Sequence, residues 1–210
     1  WSGLKEAGVD LDDPVQILYV LKKLGAPRIE ALFGAGENDP AFPRGKKPVL
    51  LTDVFKKTYR LGEDLIEKLR DQPEICEACR GKKILLASSD VHEHPLFMMD
   101  QVLKHFQVQV HYLGAEKNPG EVAAEAGAKG VDAIVISTHN GMALEYAQQL
   151  QEKMRQADLT TPVFMGGKLN QGKEGEELPV DVTAELQAMG IFTCGEISDL
   201  LNGLGKLKKT

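Results

Sequence analysis

The chain has 210 residues, enough to bury a substantial core in one or two small domains. A hydrophobic fraction of 42% and a charged fraction of 27% are those of an ordinary globular protein, and a net charge of −6 gives no electrostatic footprint for nucleic acid. No apolar run is long enough to span a bilayer and no secretory pattern opens the chain, so neither a membrane nor a nucleic-acid partner is expected.

Residues 1–80 read as a small helical segment. "DDPVQILYVLKKLG" (12–25) has a capping Asp13, Pro14 in the first turn and Gly25 as a stop. "APRIEALFG" (26–34) reads as a second short helix, and "AGENDPAFPRGKKP" (35–48) as a turn-rich connector. "PVLL" (48–51) alone has strand character, and "TDVFKKTYRLGEDLIEKLRDQ" (52–72) reads as a third, longer helix. A boundary is expected near 71–81, dividing a 1–80 extension from an 81–210 domain. Trp1 stands where a complete chain would have Met, which suggests a piece of a longer polypeptide.

Cys76 and Cys79 form a C-x-x-C at that boundary, and Cys194 is the third cysteine. An odd, small number suits a reducing, cytoplasmic setting without a disulfide framework. A zinc site would need two further ligands at suitable spacing, and a redox dithiol would follow a strand and open a helix. This pair trails a helix and precedes a strand, so small residues at a linker are the expected reading.

From Gly81 onward, strands and helices alternate. Strands are expected at 82–89, 108–114, 132–138, 161–167 and 191–195, and helices at 96–106, 119–130, 141–157, 181–190 and 196–207. Phe97, Met98, Val102 and Phe106 share one helical face and read as core. Five strands alternating with five helices predict an α/β, doubly wound, five-stranded parallel sheet. Ligands bind outside the carboxyl ends of such strands, which directs attention to the loops 90–95, 115–118, 137–141, 166–180 and 194–196. The stretch "KLNQGKEGEELPV" (168–180) is long and polar enough to be functional or disordered.

Three features fall on that one rim. Asp90, His92 and His94 follow the first strand, Ser137, Thr138 and His139 close the third, and Gly166 and Gly167 close the fourth. A metal-bound imidazole commonly gives its second N–H to a carboxylate, a role open to Asp90 beside His92. Paired glycines let a bulky ligand approach the strand closely. One imidazole, an orienting carboxylate and a groove suit a large cofactor whose metal arrives chelated, whereas a bare zinc ion takes three or four protein ligands. Ordinary helix-start chemistry also accounts for Asp90 and Pro95, and a cap or plain loop for Ser137 and Thr138.

The ordered set Asp90–Val91–His92–Glu93–His94–Pro95, then Ser137–Thr138–His139, then Gly166–Gly167, resembles the cobalamin-binding domain shared by adenosylcobalamin-dependent mutases, cobalamin-dependent methionine synthase and corrinoid methyl-transfer proteins. The family pattern is D-x-H-x-x-G, S-x-L and G-G, and the likeness covers roughly residues 81–207. It implies a flavodoxin-like (Rossmann-type) sheet and a base-off cobalamin. His92 would be the lower cobalt ligand, oriented by Asp90. Ser137, Thr138, Gly166 and Gly167 would line the pocket for the nucleotide tail, and Gly195 matches a glycine after the last strand. Pro95 replaces the family's Gly, and His139 its Leu. His94 lacks the D-x-H offset.

The resemblance leaves the reaction open, because the cofactor carries the chemistry. A helical segment before the sheet is shared with corrinoid methyl carriers, which work with methyltransferase subunits and methylcobalamin. The turn-rich connector and the Trp1 start favour the adenosylcobalamin-binding module of a mutase, which acts with a catalytic barrel domain or subunit. A non-catalytic cobalamin-binding module is the third reading. Lys104 lies in the helix where aminomutases of this family carry a pyridoxal-phosphate lysine, but a lone lysine assigns no such cofactor.

Overall fold

Alternating apolar segments in the second half of the chain pair into one parallel sheet, seen in a computed structural model that describes residues 53–70, 72–173 and 175–207. The helices expected at 12–25 and 26–34, the connector and the strand-like 48–51 lie outside the described residues. In chain order the described elements are α1 (Asp53–Leu69), α2 (Pro73–Cys79), β1 (Lys83–Ser88), α3 (His94–His105), β2 (Gln109–Gly114), α4 (Pro119–Lys129) and β3 (Ala133–Thr138). There follow α5 (Ala143–Gln156), β4 (Val163–Gly167), β5 (Asn170–Gln171), β6 (Val180–Asp181), α6 (Thr183–Ala188), β7 (Phe192–Cys194) and α7 (Ile197–Lys206).

The main sheet has the order β2-β1-β3-β4-β7, and every neighbouring pair is parallel. Counting these five strands alone, the order is 2-1-3-4-5, the flavodoxin-like winding. The winding reverses between β1 and β3, and the carboxyl ends of strands at such a switch point are where ligands bind in these sheets. No helix among the described residues is long and apolar enough to cross a membrane.

Strand periodicity divides the core into two layers. Ile84, Leu86, Val135 and Phe164 face one side, where Leu96 and Leu103 of α3 and Leu201 and Leu204 of α7 cover them. Leu85, Ile134, Ile136 and Met165 face the other, beneath Val122 of α4, Leu150 of α5 and Leu186 of α6. All six residues of β3 are buried, which explains why "AIVIST" reads as an unbroken apolar run rather than an alternation.

Local chemistry sets the helix ends. Asn118 and Glu121 form a capping box at the start of α4, each side chain accepting the other's main-chain N–H at 3.0 Å. Gly130 ends that helix in the left-handed region, at φ 56°. Pro95 lies in the first turn of α3, where the missing N–H is one that the helix could not pair anyway.

Two segments differ from the sequence reading. The C-x-x-C lies not in a linker but in helix α2, where the Cys79 thiol is fully buried and donates to the Leu201 carbonyl of α7 at 3.0 Å. The polar stretch after β4 folds into a β5–β6 hairpin, bridged to Met142 through Gln171. Close approach explains two glycines of α7. A Cβ on Gly203 would collide with the Phe164 ring, and one on Gly205 would stand 2.8 Å from the Ala78 Cβ of α2. Glycine inside a helix costs about 1 kcal/mol relative to alanine, offset here by tight helix packing.

Candidate functional site

The loop between β1 and α3 and the end of β3 meet at this switch point. Asp90 is the hub. Its side chain is only 6% exposed, and Oδ1 accepts the His92 main-chain N–H at 2.9 Å and the His92 ring Nδ1 at 2.7 Å. Oδ2 accepts the His139 main-chain N–H at 2.5 Å, linking the β1 loop to the end of β3. The Ser88 hydroxyl sits between these loops, 3.4 Å from Asp90 Oδ1 and 3.2 Å from the Ser137 carbonyl. Ser88 carried no signal in the sequence beyond its place at the end of the first strand.

Burial raises the Asp90 carboxyl pKa, but the main-chain N–H groups of His92 and His139 and the His92 ring together hold it below the ordinary aspartate value. An ionised carboxylate only accepts hydrogen bonds, so His92 Nδ1 carries the proton and the Nε2 lone pair is left over. The His92 side chain is 55% exposed, so this second nitrogen belongs to an accessible ring held at one edge. Such a ring is prepared to bind a metal from outside the protein.

His94 is exposed and stands apart from this cluster. His139 belongs to it. Its ring centroid is 5.3 Å from that of His92, and its Nδ1 is buried without a hydrogen-bond partner. Burial lowers the pKa of the His139 imidazole; the Asp90 charge opposes this, and His92 and Lys168 add to the lowering. The sequence placed His139 on the rim and marked it as a departure from a family pattern; that its ring reaches His92 depends on β1–β3 pairing, a long-range event.

A row of small side chains crosses the sheet beside the hub. Ser88 pairs with Ser137, Ser137 with Gly166, and Gly166 with Cys194. Strand alternation places all four on the side covered by α3 and α7. Ser137 is 2% exposed and Thr138 fully buried, both inside β3 rather than in a cap or loop. Burial pushes the Cys194 thiol up to about 12, so it stays a neutral, weakly polar member of the row. A Cβ on Gly166 would stand 3.1 Å from the Cys194 carbonyl oxygen. Gly195 follows the row, and its N–H donates to Asp199 at 3.0 Å. Lys104 pairs with Asp100 at 2.7 Å on the surface of α3.

Gly167 is the tightest point. Its φ is +100°, and a Cβ there would strike the Thr138 carbonyl oxygen and stand 2.8 Å from Cε1 of His139. Gly167→Ala is therefore expected to destabilise the protein by about 1–3 kcal/mol, read as a lower urea midpoint. An unchanged midpoint would show that the end of β4 is not held in place.

A flavodoxin-like sheet with one accessible imidazole at its switch point, fixed by a buried carboxylate and flanked by a small-residue row, defines an α/β cofactor-binding domain. Comparison with known proteins makes that class specific. Residues 84–187 match the family model of the B12 binding domain, and this part of the chain belongs to that family. The fold is similar to that of a novel cobalamin-binding protein from Desulfitobacterium hafniense DCB-2, at a TM-score of 0.52 and 14% identity, covering 74% of this chain and 71% of that one. A fatty acid ABC transporter substrate-binding protein from Thermomonospora curvata aligns over 50% of this chain and 27% of its own, at 18% identity; its TM-score of 0.36 is too low to carry an argument. A search of curated proteins gives no match.

Proposed function

We propose that the chain is the cobalamin-binding component of an adenosylcobalamin-dependent mutase, an isomerase that is catalytic only with a partner barrel domain or subunit. The observation that carries the binding mode is the Asp90–His92 hydrogen bond of 2.7 Å, with the carboxylate buried and the ring exposed. In this reading His92 Nε2 would hold the cobalt, and Asp90 would fix the tautomer and direction of the ring. The row Ser88, Ser137, Gly166 and Cys194, with Thr138, Gly167 and Gly195 at the strand ends, takes the displaced nucleotide tail. Adenosylcobalamin supplies a cobalt–carbon bond whose homolysis starts radical chemistry. The protein's own part is to hold the base-off corrinoid, and substrate contacts belong to the partner that covers its upper face.

Helices α1 and α2, which precede β1, favour a second reading as a corrinoid methyl carrier working with methyltransferase subunits. One measurement tests the ligand, and a second separates the two readings. Uniform 15N labelling of the protein, loaded with unlabelled cobalamin and reduced to cobalt(II), should change the nitrogen splitting of the electron paramagnetic resonance spectrum from a triplet to a doublet. An unchanged triplet would mean that the cofactor keeps its own base and that His92 is not the ligand. The upper ligand released from protein purified from its own cells should be 5′-deoxyadenosyl; a methyl group would select the carrier.

A further inference from the structure

Among the described residues, Nδ1 of His139 is a buried ring nitrogen at the rim without a hydrogen-bond partner, and the cobalamin reading leaves it unused. Buried polar atoms are nearly always satisfied, so an orphan beside a second imidazole and a carboxylate points to a missing ligand. We propose that Asp90, His92 and His139 bind one bare divalent transition-metal ion when no corrinoid is present, with Zn2+ as the probe. One donor atom from each residue lies within 4.8 Å of the others. In a tetrahedral zinc site, bonds of about 2.0–2.2 Å place ligand atoms roughly 3.3 Å apart. The remaining closure falls to His92, whose side chain is 55% exposed, while the Asp90 side chain is 6% exposed and receives N–H groups from both loops. Two imidazoles and one carboxylate leave the fourth position to water, which suits an exchangeable ion.

The geometry also makes the two ligands compete. His92 Nδ1 and Asp90 Oδ1 now share a proton across 2.7 Å; the exposed ring swings back until they stand about 3.3 Å apart, and the ion takes the place of that proton. The imidazole stays neutral: one proton leaves Nδ1 to solvent and one is taken up at Nε2. Nε2 then lacks the lone pair that cobalt requires. This exclusion, though not the zinc site itself, rests on the cobalamin reading of His92.

The test uses the full chain, freed of metal and corrinoid. Zinc affinity is measured by competition with a chromogenic chelator, and hydroxocobalamin uptake is followed by absorption with and without zinc. Wild type should bind one equivalent of zinc, and zinc should slow uptake about tenfold until a chelator is added. His139→Leu should weaken zinc by at least about tenfold, the scale on which losing one metal-site partner is felt, and zinc should no longer change the rate of uptake. His139→Gln, with circular dichroism as a folding control, decides the matter if the leucine variant misfolds. No zinc binding in wild type, or equal binding in a folded His139 variant, would overturn the site. Simultaneous binding of zinc and cobalamin would overturn the exclusion. Zinc binding that depends on His139 in a protein that never takes up cobalamin would instead remove the cobalamin reading and leave the metal site standing.

Discussion

His92→Ala is expected to cost the protein its protein-derived cobalt ligand and most of its affinity for cobalamin. The loss should be at least as large as the about 10–100-fold that removing an outer partner costs a metal site, because on the proposed reading the ligand itself is removed. The ring is more than half exposed and makes its one strong bond at its edge, so the fold should survive the change. Loss of the ring's hydrogen bond to the Asp90 carboxylate should cost about 1 kcal/mol of stability. The thermal midpoint should thus fall only slightly, while the 15N-dependent splitting disappears and the visible spectrum of any bound cobalamin shifts. A variant that binds and absorbs as wild type does would remove His92 from the ligand position. His94→Ala should affect neither property, since His94 is exposed and lies outside the Asp90–His92–His139 cluster.

Asp90→Ala should act on both binding and folding. The carboxylate receives N–H groups from His92 and His139 and joins two loops that are distant in sequence. Its removal leaves two part-buried main-chain donors without this acceptor, at a cost of about 2–3 kcal/mol near neutral pH. Cobalamin affinity should fall about 10–100-fold because the His92 ring loses its tautomer and direction. The pH dependence follows from the sign of the shift. The folded-state pKa lies below the ordinary value of 3.8, so the stabilisation is fully present above that value and is lost as pH falls through the lower, folded one. Below about pH 4 the wild-type stability should therefore drop towards that of Asp90→Ala, and the two acid-unfolding curves should converge. Curves separated by a constant gap down to the acid limit would mean that the Asp90 charge contributes nothing to folding.

The α/β fold was legible because each sheet strand is short, apolar and followed by an amphipathic helix with its own stop signal. The five strands and five helices of the sheet domain were expected within a few residues of where they lie. The hub was legible for a different reason. Asp90 and His92 are two residues apart, so their hydrogen bond is nearly a local property of the chain. What the sequence could not show depends on pairing across the sheet. His139 meets Asp90 only because Ser137 falls in register with Ser88, and neither residue carries a local mark of that register. The β5–β6 hairpin escaped notice because its strands are two residues each and polar, with no apolar alternation to read. Cys79 resembled linker chemistry because its partner, the Leu201 carbonyl, lies 122 residues away. Pro95 departs from the family glycine, yet its place in the first turn of α3 makes the departure harmless to the helix.

The contact of Gly205 with Ala78 bears on how such a module could be exchanged among proteins. Helix α2 precedes the first strand of the sheet, yet it is locked against the last helix by that glycine, by the Cys79 thiol and by the burial of Ile75. A gene fusion joined immediately before β1 would strip one wall from the core and bare the flank of α7. The transferable piece thus begins upstream of the cofactor motif, and a recombination point placed before α2 would carry the whole core with it.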